Sequence, residues 1–267
     1  MKFPIGFALE DMPPKAEMER LTQQNVAPVK SLVQVYFPDR NQSLTYFNDQ
    51  FDLNVGDFVF VEGKLEGIGG IVREVCKRFK IKVADYKKVV GVADTDVSGQ
   101  LLIADSHFVS FDPTVLPYEK IRSWYLPPVK AEDEFETGND NTGFSLDTLS
   151  EMNASPAIFE RGHNYYLEDR VVYLSMDNGR GRAIVEGEHT YEVEFDYDHR
   201  EIRNLLCSCP CGCTCKHEVA TMLQLKDILE TLESSYKDSF RNYFAAVEKQ
   251  ALFRFVVRFK NTGSLTL

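Results

Sequence analysis

The sequence has no apolar run approaching the ~18 uninterrupted residues of a membrane helix. Its first residues, MKFPIGFALEDMPP, lack an apolar segment of secretory type. No G-x-G-x-x-G, no phosphate loop closed by Lys-Ser/Thr, no G-x-S-x-G elbow and no H-E-x-x-H occurs. Glu66–Gly70 (EGIGG) has the wrong spacing for a phosphate cradle and reads as a hairpin or bulge. Paired carboxylates and nucleophile triads at interpretable spacing are missing too. Positive charge is in deficit: 30 Lys+Arg against 41 Asp+Glu give a net charge of −11. That opposes bulk attraction to nucleic acid or anionic membrane but leaves room for a local basic patch. These absences point to a cytoplasmic chain with no membrane partner and no recognisable catalytic machinery.

What is present is a globular composition, 43% apolar and 27% charged over 267 residues. At ~150 residues per domain this allows one large domain or two ordinary ones. Charge divides the chain. Residues 1–129 carry 15 basic and 17 acidic residues, 130–160 carry 1 and 8, and 161–267 carry 14 and 16. The acidic middle, KAEDEFETGNDNTG, reads as a solvated linker. The expected fold class is α+β, with five parts. Residues 1–30 form a Pro-rich arm with a short helix over Lys15–Gln24. Residues 31–129 form a β-rich, barrel-like domain. Residues 130–158 are the acidic linker, 159–236 a ββββα metal-binding unit, and 237–267 a helix plus β-hairpin tail.

In the first half, SLVQVYF, LTYF, DFVFVE, IGGIVREV, KIKVAD, VVGVAD, LLIAD and FVSF read as short strands between Gly/Asp/Asn turns. NVGDFVFVE loosely resembles the N-terminal β domain of primosomal-type helicases. A basic cluster lies here: Arg73, Lys77, Arg78, Lys80, Lys82, Lys87 and Lys88, interleaved with Phe79 and Tyr86. It fits a lysine-protected edge strand or a phosphate groove with aromatic stacking on Phe79 or Tyr86. Cys76 reads as a small buried hydrophobe, and Trp124 and Tyr125 as packing beneath the β-rich domain.

The other five cysteines, Cys207, Cys209, Cys211, Cys213 and Cys215, occupy alternate positions within nine residues. Such crowding suits metal or redox chemistry in a reducing compartment better than separate disulfide loops. Cys207 and Cys209 project to one side of an extended chain. Pro210 and Gly212 can turn the backbone, and Cys215-Lys216-His217 can return to the same ion. Three sulfurs and one nitrogen suit tetrahedral Zn²⁺. Cys211 and Cys213 are the possible substitute ligands, and a thiolate-rich patch could also serve redox or metal storage. His199 could compete from eight residues upstream.

After His217, Met222, Leu225, Leu229, Leu232 and Tyr236 recur at spacings 3, 4, 3, 4, an amphipathic helix. Before Cys207, alternation and the Asn178-Gly179 and Gly187 turns predict strands near 170–176, 182–186, 190–197 and 201–207. Arg161-Gly162, Tyr165-Tyr166, RVVYL, AIVEG, TYEVEF and CSCP…CKHEVA together resemble the SWIM zinc finger, a C-x-C…C-x-H module with a β meander before it and a helix after it. The likeness covers about residues 159–232, and the spacer of five residues is short for the pattern. The resemblance implies Cys207, Cys209, Cys215 and His217 as zinc ligands. It also implies a non-catalytic role in binding DNA, more readily than RNA, or a protein partner, as in the accessory region of a helicase-like assembly. Arg180, Arg182, Arg200, Arg203 and Lys216 are the candidate phosphate contacts, although Glu186, Glu188, Glu192 and Glu194 lie beside them. A protein-only scaffold is the competing expectation. In the tail, Phe240, Tyr243, Phe244 and Val247 share a helical face, and LFRFVVRF then alternates as a strand. That alternation runs to Leu267, so the chain is also expected to suit the N-terminal part of a longer ATPase or helicase.

Overall fold

A computed structural model describes residues 29–129, 137–138, 143–237, 242–256 and 265–266. The arm through residue 28, its helix over Lys15–Gln24 and most of the acidic run lie outside the described residues. The rest is α+β, with two antiparallel sheets and four helices among the described residues.

The smaller sheet uses β1 (Ser31–Phe37), β2 (Gln42–Asn48), β3 (Phe58–Val61), β4 (Gly70–Cys76) and β5 (Val89–Ala93), in the order β2-β1-β4-β3-β5. A bridge between Phe47 and Lys88 joins its two outer strands. The alternation of SLVQVYF is what buries Val33, Val35 and Phe37 together, against Val59, Val61, Val72 and Val89.

Next come β6 (Gly99–Gln100), β7 (Leu102–Ala104), β8 (His107–Ser110), helix α1 (Tyr118–Tyr125) and β9 (Phe144–Ser145). Helix α2 (Pro156–Leu167) starts on Ser155, whose side chain accepts a hydrogen bond from the Ile158 N–H, with Pro156 at the first helical position. The meander follows as β10 (Val171–Asp177), β11 (Arg180–Glu186), β12 (Thr190–Asp198) and β13 (Glu201–Cys207). Helix α3 (Lys216–Ser235), β14 (Tyr243–Glu248), helix α4 (Lys249–Val256) and β15 (Leu265–Thr266) complete the order. The larger sheet runs β7-β8-β14-β10-β11-β12-β13-β9, and β15 pairs in parallel with β6.

The larger sheet is covered on both faces. Val219, Met222, Leu225, Leu229 and Leu232 of α3 pack on Leu174, Met176, Val185, Val193 and Phe195. On the other face, Tyr173, Ile184 and Val247 meet Trp124 and Phe255, which also touch Phe58 and Phe60 of the smaller sheet. Two-sided cover explains why VVYLSM in β10 is buried at every position: a central strand reads as a continuous apolar run rather than an alternation.

Several expectations need correction. The tail is inverted: Tyr243–Glu248 is a strand and Lys249–Val256 a helix. A strand buried on both faces gives Tyr243, Phe244 and Val247 the same spacing as a helical stripe, so periodicity could not separate the two. The Glu248 carboxylate accepts from the Gln250 and Ala251 N–H groups and starts α4. Of the expected second strand of the hairpin, Leu265–Thr266 is a strand, but it pairs in parallel with β6. The sheets do not divide at residue 129, because β7 and β8 join the larger one through β14. Nor is 143–158 a solvated linker. Phe144 and Ser145 pair with β13, and Leu146, Leu149 and Met152 are buried. KIKVAD is not a strand but an extended connection ending in a 3-10 turn, Val83–Asp85. Cys76 is half-buried, its thiol donating to the Arg78 carbonyl.

Candidate metal centre

The cysteines arrive on β13, and a bulge decides which way they face. Strict alternation from buried Ile202 would turn Asn204 and Leu206 inward. Asn204 instead adopts a left-handed φ of 48°, and the β12–β13 register shifts beside it. Asn is among the few residues that enter this region readily, and its amide donates to Asp196 across the pair at 2.7 Å. The extra residue flips the parity of the strand. Leu205 and Cys207 pack toward α3, and Leu206 is exposed.

Past β13, the Ser208 N–H donates to the Glu192 carbonyl and the Glu192 N–H to Ser208 Oγ, both at 2.9 Å. These bonds hold the Cys207-Ser208-Cys209 segment against β12. The Glu192 carboxylate in turn accepts from Arg122 Nε at 2.8 Å and from the Tyr118 hydroxyl, so α1 braces the same point. The loop over Pro210–Thr214 then leads to Cys215, the N-cap of α3. The Cys215 sulfur accepts from the Glu218 N–H, and the Cys215 N–H donates to Glu218 Oε2 at 2.8 Å, a reciprocal cap with sulfur in the usual place of a hydroxyl.

One ligand atom from each of Cys207, Cys209, Cys215 and His217 lies within 4.8 Å of all the others. His217 Nδ1 is 3.6 Å from both Cys207 Sγ and Cys215 Sγ, so Nδ1 is the nitrogen turned toward the sulfurs. The imidazole is clamped by Tyr191, stacked at 4.2 Å, and by the edge of Tyr165 at 5.6 Å. Cys209, Cys215 and His217 are buried and Cys207 is half-buried. Below them Gly162 of α2 touches α3 so closely that a Cβ there would lie 2.5 Å from Val219 Cβ and 2.9 Å from the Lys216 carbonyl.

Burial and mutual proximity hold most of the site's acidic groups in their neutral forms. Cys215 is lowered to about 4, first by its hydrogen bond with Cys207 and also by those with His217 and the Glu218 backbone. Cys207 is pushed up by that same bond to Cys215 and by burial, and Cys209 is raised to about 11, mainly by burial. Burial, then the Cys215 charge, raises Glu218 to about 8. Without a metal the cluster thus favours a single thiolate. A divalent cation is what makes deprotonation of all three favourable.

The four expected ligands therefore converge, while Cys211 and Cys213 are exposed on the loop and do not belong to the cluster. His199 is turned to solvent beside Asp198. The five expected phosphate contacts are all engaged. Arg180 pairs with Glu194 at 2.9 Å. Arg182 lies over the Tyr118 ring, 3.9 Å from Glu194. Arg200 pairs with Asp147 and Glu233, and Arg203 with Glu201. Lys216 sits 4.4 Å over the Tyr165 ring. Sequence reasoning missed Glu218, Tyr191 and Ser208. Of these only Glu218 carried a signal, three residues past a cap. No family model, curated protein or solved structure matches this chain.

Proposed function

We propose that Cys207, Cys209, Cys215 and His217 hold one Zn²⁺ as a closed structural clip, and that the chain is a non-catalytic binding module of the kind the SWIM resemblance implies. One observation carries this reading: the four ligand atoms gather at the seam between β13 and α3. The spacing supports it. A tetrahedron with Zn–S of about 2.3 Å and Zn–N of about 2.0–2.1 Å has an S···N edge of roughly 3.5 Å, against 3.6 Å for both measured pairs. Three thiolates and a neutral imidazole around Zn²⁺ sum to −1, and four protein ligands fill the sphere. The ion then has no position for an activated water. Its contribution is to stability, on the order of 10–16 kcal/mol in small zinc domains. The partner class is nucleic acid, DNA ahead of RNA. The paired arginines of the meander and the net charge of −11 favour a protein-only scaffold as the second reading.

Metal analysis of the purified chain tests the clip. One zinc per chain is expected, lost in Cys215→Ala together with near-ultraviolet signal from the larger sheet. The double variant Cys211→Ser/Cys213→Ser should keep its zinc. Full zinc in Cys215→Ala, or loss only in the double variant, overturns the assignment.

A further inference from the structure

The basic run singled out in the sequence has no place in the zinc site, and the structure removes its simplest explanation. It is not an edge strand. Residues 77–88 form the connection between β4 and β5. Lys77, Arg78, Lys80, Lys82, Lys87 and Lys88 against Asp85 give these residues a net charge of +5, so the rest of the chain carries −16. Lys77 pairs with Asp52 at 3.7 Å and Lys88 with Asp49 at 2.8 Å. Arg78, Lys80, Lys82 and Lys87 are exposed, with no carboxylate within ion-pair distance among the described residues. These four cations have no carboxylate partner among the described residues, whereas the arginines of the meander do.

The connection is anchored. Phe79 packs edge-on against Phe47, with ring centroids 6.0 Å apart. The Cys76 thiol bonds the Arg78 carbonyl, and the Phe47 N–H donates to the Lys87 carbonyl at 2.9 Å. Phe79 is therefore an anchor and not a stacking platform. Between the anchors, residues 78, 80 and 82 are exposed while 79 and 81 are half-buried, the period of an extended chain. Arg78, at a bend, and Lys80 and Lys82 after it are thus three exposed cations within five residues.

We infer that the β4–β5 connection is a contact surface for the phosphate backbone of a nucleic acid, with Arg78, Lys80, Lys82 and Lys87 as the contacting cations. A dense patch of exposed cations without carboxylate partners among the described residues matches a polyanion. An anionic membrane is the weaker match, because Val83 is the one large apolar side chain exposed there and interfacial binding scales with buried apolar area. The inference rests on the binding-module reading for the class of partner and on the smaller sheet alone for the surface. With Phe79 used as an anchor, phosphate contacts dominate and binding should depend strongly on salt.

The test is a fluorescence-anisotropy titration of the full chain with a labelled mixed-sequence 20-nucleotide DNA, single-stranded and duplex, over a salt series, with zinc content measured in parallel. Four cations at roughly 0.7–0.9 each predict a slope of log K on log [salt] near −3. The exposed triple variant Arg78→Glu/Lys80→Glu/Lys82→Glu should lose at least ~tenfold affinity at about 50 mM salt, and the triple alanine variant should lose less while keeping the same circular dichroism. Lys237→Glu, the same charge reversal at an exposed side chain outside this connection, should bind as wild type. Unchanged binding in both triple variants overturns the surface while leaving the module reading intact. No binding by the wild type, or binding to phosphatidylserine vesicles but not DNA, overturns the nucleic-acid partner, whereas the zinc content reports on the clip separately.

Discussion

His107, on β8, is fully buried, with Nε2 2.8 Å from the Val171 carbonyl and Nδ1 3.0 Å from Ser106 Oγ. The arrangement suits a neutral ring that donates from Nε2 and accepts at Nδ1. Burial holds its pKa below the ordinary 6.5, outweighing the carbonyl bond and the Glu248 charge. The unfolded chain therefore takes up this proton at higher pH than the fold does. The stabilisation is complete above about pH 6.5 and is lost as pH falls below it. His107→Gln should flatten the fall in urea midpoint between about pH 7 and about pH 5. Parallel pH profiles for wild type and variant would contradict this role. Nothing in the sequence marks His107, since its ring is buried by strands far away in the chain. The Cys/His cluster is the opposite case: its spacing marked five cysteines and His217, and the structure then separated Cys207, Cys209 and Cys215 from Cys211 and Cys213.

At the scale of elements, α2 and α3 are set against one another by Gly162. Alanine there should raise helix propensity by about 0.8–1 kcal/mol. Its Cβ would nevertheless press on Val219 and on the Lys216 backbone, next to His217. Overpacking of this kind costs about 1–3 kcal/mol, so Gly162→Ala should destabilise by roughly 1 kcal/mol and weaken zinc retention against a chelator. A more stable variant would show that the contact yields. Helix α3 was legible because its stripe faces a single surface. Strand β14 was not, because Phe244 to Val247 are buried on both faces and carry no period. The bulge at Asn204 was hidden too, since alternation in REIRNLLC gives no sign of where parity changes.

For the whole molecule, Phe255 is the point where the two sheets meet. Its ring stacks on Trp124 at 5.1 Å and meets Phe58 of the smaller sheet edge-on at 5.3 Å. Phe255→Ala should cost about 3–5 kcal/mol and uncouple the sheets, turning one calorimetric transition into two. A single transition at the wild-type temperature would refute that coupling. A β-rich first half and a second half carrying the Cys/His cluster were expected from the sequence. Shared strands were not, because β8 and β14 pair across more than a hundred residues.

The sequence by itself determined what depends on neighbours along the chain: the C-x-C and C-x-H pairs, the strands of the meander, the helix that follows, and the charge of residues 77–88. Tertiary structure alone decided which cysteines converge, which arginines are neutralised by carboxylates, which basic residues stay unpaired, and that a late strand lies at the centre of a sheet. The physical reason is the range of the forces. Side-chain alternation and helical periodicity repeat within a few residues. Burial, ion pairing and metal geometry depend on groups brought together only when distant segments pack.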